Sequence, residues 1–254
     1  MNERSEPVGL DAPRNLGSRK KLTAGAQRHY PGTSAFDRIA RVVCRAGCLP
    51  RKELYESWEM AKQVRRHLRG TRAVDLACGH GLLAYALAVI MPNLEEVVAL
   101  DRRLPPSASL LAQAMHAEWP DLAHRVRQEQ ADLRTVTLRP EDIVMSAHGC
   151  RAITDRVLRL AMEARADVAV LPCCQDHSML DHGALEGWLD KDLAIDVVRA
   201  LRLRDAGYRV WTRLIDPAIT PKNRLLLGRR LACSDVSREE APGPRASCRG
   251  EGRR

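Results

Sequence analysis

The 254-residue chain reads as an α/β protein built on a doubly wound, seven-stranded sheet, mostly parallel with an antiparallel last strand and preceded by helices. Three observations predict this. Short apolar runs alternate with stretches of helical length between residues 73 and 206, the pattern of strands joined by covering helices. The first run, Val74-Asp75-Leu76-Ala77, opens into Cys78-Gly79-His80-Gly81, a glycine turn leading straight into a helix. The last two runs are separated only by a short linker holding Pro217 and Pro221. That is too short for a helical crossover, so the final strand must reverse direction.

Taken in order, residues 1–34 are rich in Gly, Pro, Ser and Arg, carry six basic residues against three acids, and lack apolar periodicity. They predict a disordered basic arm. Residues 35–70 form a helical preface, interrupted at Cys48-Leu49-Pro50, whose second half places Leu54, Trp58, Ala61 and Val64 on one face. The main domain follows over 71–233. Strands are expected at 73–77, 96–100, 126–131, 143–147, 168–171, 209–215 and 224–227, with helices at 82–91, 108–119, 153–165 and 190–206. Residues 234–254, with Pro242-Gly243-Pro244, predict a second disordered tail.

Composition narrows the class. Net charge is +9 and the basic residues are mostly arginine, which suits a polyanion partner or simply a solvated surface. No apolar segment opens the chain, and the longest apolar stretch, 82–91, is far below the ~20 residues that span a bilayer. The reading is therefore a cytoplasmic protein with no membrane partner, its eight cysteines held as thiols. Cys44 and Cys48 fall one helical turn apart and read as packing residues, as do Tyr55 and Trp58.

The site chemistry turns on Asp75. A carboxylate just before a glycine loop would repel the pyrophosphate of a dinucleotide, whereas it suits S-adenosylmethionine, which carries an ammonium and a sulfonium and no phosphate. Gly79-His80-Gly81-Leu82-Leu83-Ala84 also satisfies the dinucleotide pattern, so an NAD(P)-dependent oxidoreductase is the alternative. Asp101, twenty residues after Gly81, fits both.

Seven strands with a helix-free link between the last two resemble the Rossmann-like class I S-adenosylmethionine-dependent methyltransferases. That resemblance implies that the small-molecule methyl donor is held by Asp75, Ala77, Cys78, Gly79 and Gly81 at the glycine loop. It implies that Asp101, followed by Arg102, meets the ribose hydroxyls, and that Asp132, followed by Leu133, approaches the adenine. Ser146 and His148 would wall the donor at the fourth strand. Ala77 stands where the class usually has its first glycine.

A narrower likeness lies in Ser146-Ala147-His148-Gly149-Cys150 running into Thr154-Asp155, and in Leu171-Pro172-Cys173-Cys174. It is similar to a diverse methyltransferase-domain family that includes tRNA acceptor-stem ribose methyltransferases and a methyltransferase-like domain in a glutathione-transferase C-terminal-domain protein. Leu49-Pro50-Arg51-Lys52-Glu53-Leu54 looks like the sequence preceding the domain in bacterial members. The likeness implies RNA modification, with tRNA as partner; a protein side chain or small molecule is the second reading. His148, Asp176 and His177 are the candidate proton acceptors. Arg51, Lys52, Arg65, Arg66 and Arg69 could meet phosphates, although a solvated helix face is the default. Adjacent Cys173 and Cys174 are expected to diverge and no C-x-x-C pair exists, so the rim cysteines read as pocket lining and no metal is expected.

Overall fold

The computed structural model describes residues 15–147, 149–150 and 152–231. Its sheet comprises β1 (Arg72–Leu76), β2 (Glu96–Asp101), β3 (Val126–Gln130), β4 (Asp142–Ala147), β5 (Asp167–Leu171), β6 (Tyr208–Leu214) and β7 (Arg224–Arg230). Their order is β3-β2-β1-β4-β5-β7-β6. The first five strands pair in parallel, while β7 lies antiparallel to both β5 and β6, as the short proline linker requires. The order reverses beside β1, which places a crevice at the carboxyl ends of β1 and β4.

Helices α1 (Ala35–Ala46), α2 (Arg51–His67), α3 (Leu82–Ile90), α4 (Pro106–Glu118), α5 (Leu122–Arg125), α6 (Ala152–Ala164) and α7 (Lys191–Asp205) cover the sheet. Alternate residues of the central strands feed two cores. Ala73, Ala99, Ile143 and Met145 pack with α1, α2 and α3, whereas Val74, Val98 and Val144 pack with Val157 and Ala161 of α6. Helix α3 is buried from Leu82 through Ala88, so it is apolar all round rather than amphipathic. Each fully buried leucine here contributes about 2 kcal/mol. The break between α1 and α2 is local chemistry: Gly47 caps α1 in the left-handed region, and Pro50 sets the entry into α2.

Residues 15–34 depart from the expected disordered arm. They contain a 3-10 turn at Ala24–His29, bury Leu22 and Tyr30, and lie along the start of α2. Leu22 N–H donates to Leu49 O (2.9 Å), Lys52 N–H donates to Ser18 O (3.0 Å), and Arg41 Nη1 donates to the carbonyls of Tyr30 and Gly32. Two isolated apolar anchors suffice for docking, and they leave no period to detect. The remainder of the expected arm and the expected tail lie outside the described residues. No helix among the described residues is long and apolar enough to cross a membrane.

Candidate active site

The loop after β1 is wound by three left-handed residues, Ala77 (φ 58°), Gly79 (φ 55°) and Gly81 (φ 80°). Two are glycines, for which this conformation costs little; Ala77 adopts it against its own Cβ. Cys78 N–H donates to Leu100 O (3.1 Å), and Gly79 N–H donates to Asp101 Oδ2 (3.0 Å). Arg103 N–H donates to Asp101 Oδ1 (3.0 Å), so both oxygens of Asp101 brace the loops at this rim. A Cβ on Gly79 would meet nothing within 4 Å, so this part of the loop faces open space.

That space is a cavity of about 330 Å³, walled by Asp75, Ala77, Gly79 and Ala147 from the sheet rim and by Glu53 and Ser57 from α2. Asp75 is 1% exposed. Burial pushes its carboxyl up to about 8, with the negative charge of Asp101 acting in the same direction and a hydrogen bond from the Ala84 amide opposing it. Its Oδ1 has no hydrogen-bond partner among the described residues. An orphaned carboxyl oxygen beside an open glycine loop fits a ligand that brings a cationic N–H donor. Burial likewise raises the Cys78 thiol, with the negative charges of Asp75 and Asp101 adding to the effect, so this thiol is a neutral wall element.

The predicted site residues separate on the structure. Asp75, Ala77, Cys78 and Gly79 line the cavity, and Gly81 closes the turn against Gln128 and Ala99. Asp101 is hydrogen-bonded to Gly79 of the loop but is not among the residues lining the cavity, and Arg102 is exposed. Ser146 is buried with an unpartnered Oγ among the described residues; Leu133 packs on the second core. Asp132 is not among the residues lining the cavity. It folds back on Arg134 (Nη2 to Oδ2 2.9 Å), whose hydrogen bonds hold its carboxyl down at about 2. Asp176 and His177 also do not line the cavity. Asp176 accepts from Ser178 Oγ (2.7 Å), and His177 Nε2 lies 2.6 Å from Asp192 Oδ1, at the start of α7. These short local partners capture both side chains. His148 lies outside the described residues.

The sequence reading does not single out the two α2 residues that wall the cavity. Glu53 and Ser57 are four apart, hence on one helical face, and that spacing was the available signal. His80 also lines the cavity, with its Nδ1 2.8 Å from Ser107 Oγ, while Gln128 Nε2 donates to the His80 carbonyl (3.2 Å). The rim cysteines differ from expectation too. Ala147 pairs with Leu171 across β4 and β5, so Cys150 and Cys173 emerge side by side, and Cys174 joins them.

Strand order and the antiparallel last strand define the Rossmann-like methyltransferase fold, and the orphaned Asp75 oxygen beside the glycine loop fits the ammonium of S-adenosylmethionine. Residues 52–182, just over half of the chain, match the family described as "Methyltransferase domain". The protein belongs to that family. It is 28% identical over 202 residues to a glutathione S-transferase C-terminal domain-containing protein homolog from Drosophila melanogaster, a match covering 63% of this chain. The chain spans about a third (33%) of the length of that curated relative. Among solved structures it is similar to magnesium protoporphyrin IX methyltransferase from Synechocystis, with bound SAH (TM-score 0.48, 17% identity, 80% of this chain and 98% of that one). It is also similar to a SAM-dependent O-methyltransferase from Thermotoga maritima (TM-score 0.48, 15% identity, 78% of this chain and 72% of that one).

Proposed function

We propose that the protein transfers a methyl group from S-adenosylmethionine to RNA, with tRNA as the leading class. When bound, the donor supplies an electrophilic methyl group on its sulfonium. Asp75 Oδ1 would take the donor's ammonium, and Asp101 and the amides of the glycine loop would hold its ribose. Glu53 and Ser57 would exclude water from the α2 side. Displacement at a methyl carbon asks chiefly for alignment. The proton-accepting role falls to His148, which directly follows the cavity-lining Ala147 in the chain.

The observation that carries the RNA reading is an arginine-rich stripe at the far end of α2. His67, in the last turn of that helix, stacks 4.8 Å from the ring of Trp211 on β6. Arg209 and Arg229 sit 5.3 and 5.5 Å from the same indole. Burial lowers the proton affinity of His67, and the charges of Arg213, Arg66, Arg229 and Arg69 lower it further. Cations gathered around a half-buried indole suit a phosphate backbone with one stacked base. The other end of the same helix walls the cavity through Glu53 and Ser57, so one helix connects both. Incubation with methyl-labelled donor and separate RNA, protein and metabolite fractions tests this. Label in RNA, lost with Asp75→Ala, is expected; label confined to protein or metabolites would overturn it.

A further inference from the structure

Three thiols meet on the rim between β4 and β5, beside the cofactor cavity. Cys150 Sγ lies 3.2 Å from Cys173 Sγ, and the sulfurs of Cys150, Cys173 and Cys174 all fall within 4.8 Å of one another. Four ligands at a tetrahedral zinc, each about 2.3 Å from the ion, stand roughly 3.8 Å apart. The 3.2 Å Cys150–Cys173 separation is a little below that value and far above the roughly 2.05 Å of a disulfide, and all three sulfurs lie close enough to share one ion. We propose that Cys150, Cys173 and Cys174 bind a thiophilic divalent cation, zinc, as three thiolates with the fourth coordination position open.

The electrostatics agree with the geometry. Burial raises the Cys173 thiol, and hydrogen bonding and repulsion from Cys150 and Cys174 raise it further. Without a cation the Cys173 thiol is therefore protonated and a poor nucleophile. A bound divalent ion supplies the missing positive charge and releases the displaced thiol protons to solvent, with no change of oxidation state. Cys150 and Cys174 are exposed, which gives the ion an entry path. Soft sulfur ligands without a carboxylate select zinc over magnesium or calcium.

The test uses the full chain, purified under reducing conditions, stripped with chelator and titrated with cobalt(II), then zinc(II). One equivalent of cobalt should bind with intense thiolate-to-cobalt charge-transfer absorption, be displaced by zinc, and bind more tightly as pH rises. Cys150→Ser and Cys173→Ser should each weaken zinc by more than about 100-fold. They should keep the far-ultraviolet circular dichroism of the parent. Cys233→Ser with Cys248→Ser should retain the full equivalent. Cobalt binding without the charge-transfer band, retention of affinity by the first two variants, or loss of the site with Cys233 and Cys248 would each overturn the proposal. The site does not depend on the RNA reading, and metal binding is read without methyl transfer.

Discussion

Asp75 was legible as a charge but not as a buried one. Its position before the glycine loop follows from the sequence, whereas its 1% exposure comes from α3 and both neighbouring strands closing over it. Its carboxyl is raised from 3.8 to about 8, so the folded chain holds a proton that the unfolded chain has released between those values. This contribution to stability is fully present below about pH 4 and is lost as pH climbs through about 8, at up to ~1.4 kcal/mol per pH unit. Thermal melts of the donor-free protein across that window should flatten in Asp75→Asn. Calorimetry should show wild-type donor binding releasing a proton near pH 7, and Asp75→Asn weakening binding by about 1.5–3 kcal/mol, the worth of a charged hydrogen bond. Ala77 offers a second test at this scale. Its left-handed backbone costs about 1–2 kcal/mol, against ~0.4–1 for the extra freedom of an unfolded glycine. Ala77→Gly should therefore raise stability by a net ~0–1.6 kcal/mol, read as a higher denaturation midpoint with the slope unchanged.

Apart from the short α5, which the sequence reading lacks, and β7, strand and helix placement agrees with the sequence to within a residue or two, because periodicity and glycine turns are local signals. β7 is longer than expected, since Gly228, Arg229 and Arg230 continue the ladder against β6 without an apolar pattern of their own. The network that locks α7 gave no local signal at all. Arg199 is 1% exposed and binds Asp155 on α6, Asp196 on α7 and Gln175 after β5, while Arg224 on β7 also holds Asp196. Residues of α6, α7 and the segment after β5 thus converge on one guanidinium, with β7 tied in through Asp196. Arg199→Met would strip partly covered Asp155 of its close ion pair and leave Asp196 to Arg224 alone, and should destabilise the fold by about 3 kcal/mol in chemical denaturation. Wild-type stability in that variant would show that Asp155 and Asp196 are solvated well enough to do without that guanidinium.

At the level of the whole molecule, residues far apart in the chain make one surface. Arg66 and Arg69 come from the end of the helical preface and Arg209, Arg213 and Arg229 from the last two strands; the packing of α2 on β7 gathers them around the His67–Trp211 pair. Sequence reading found the first pair and credited a solvated face, because nothing local announces the second group. Arg213→Glu with Arg229→Glu should weaken RNA binding and make the slope of log affinity against log salt shallower by about one unit for each phosphate no longer neutralised. Donor affinity should stay as in the parent, since neither residue lines the cavity. An unchanged salt slope would place the nucleic acid elsewhere.

The strand-like segment ahead of the domain acts as a latch. Ser18 and Leu22 are hydrogen-bonded to Lys52 and Leu49, at the very end of the helix that carries Glu53 and Ser57. Proteolytic clipping between Gly32 and Ser34 would sever that latch from the body without touching the sheet. The donor's residence time should then shorten while the melting of the central strands stays put.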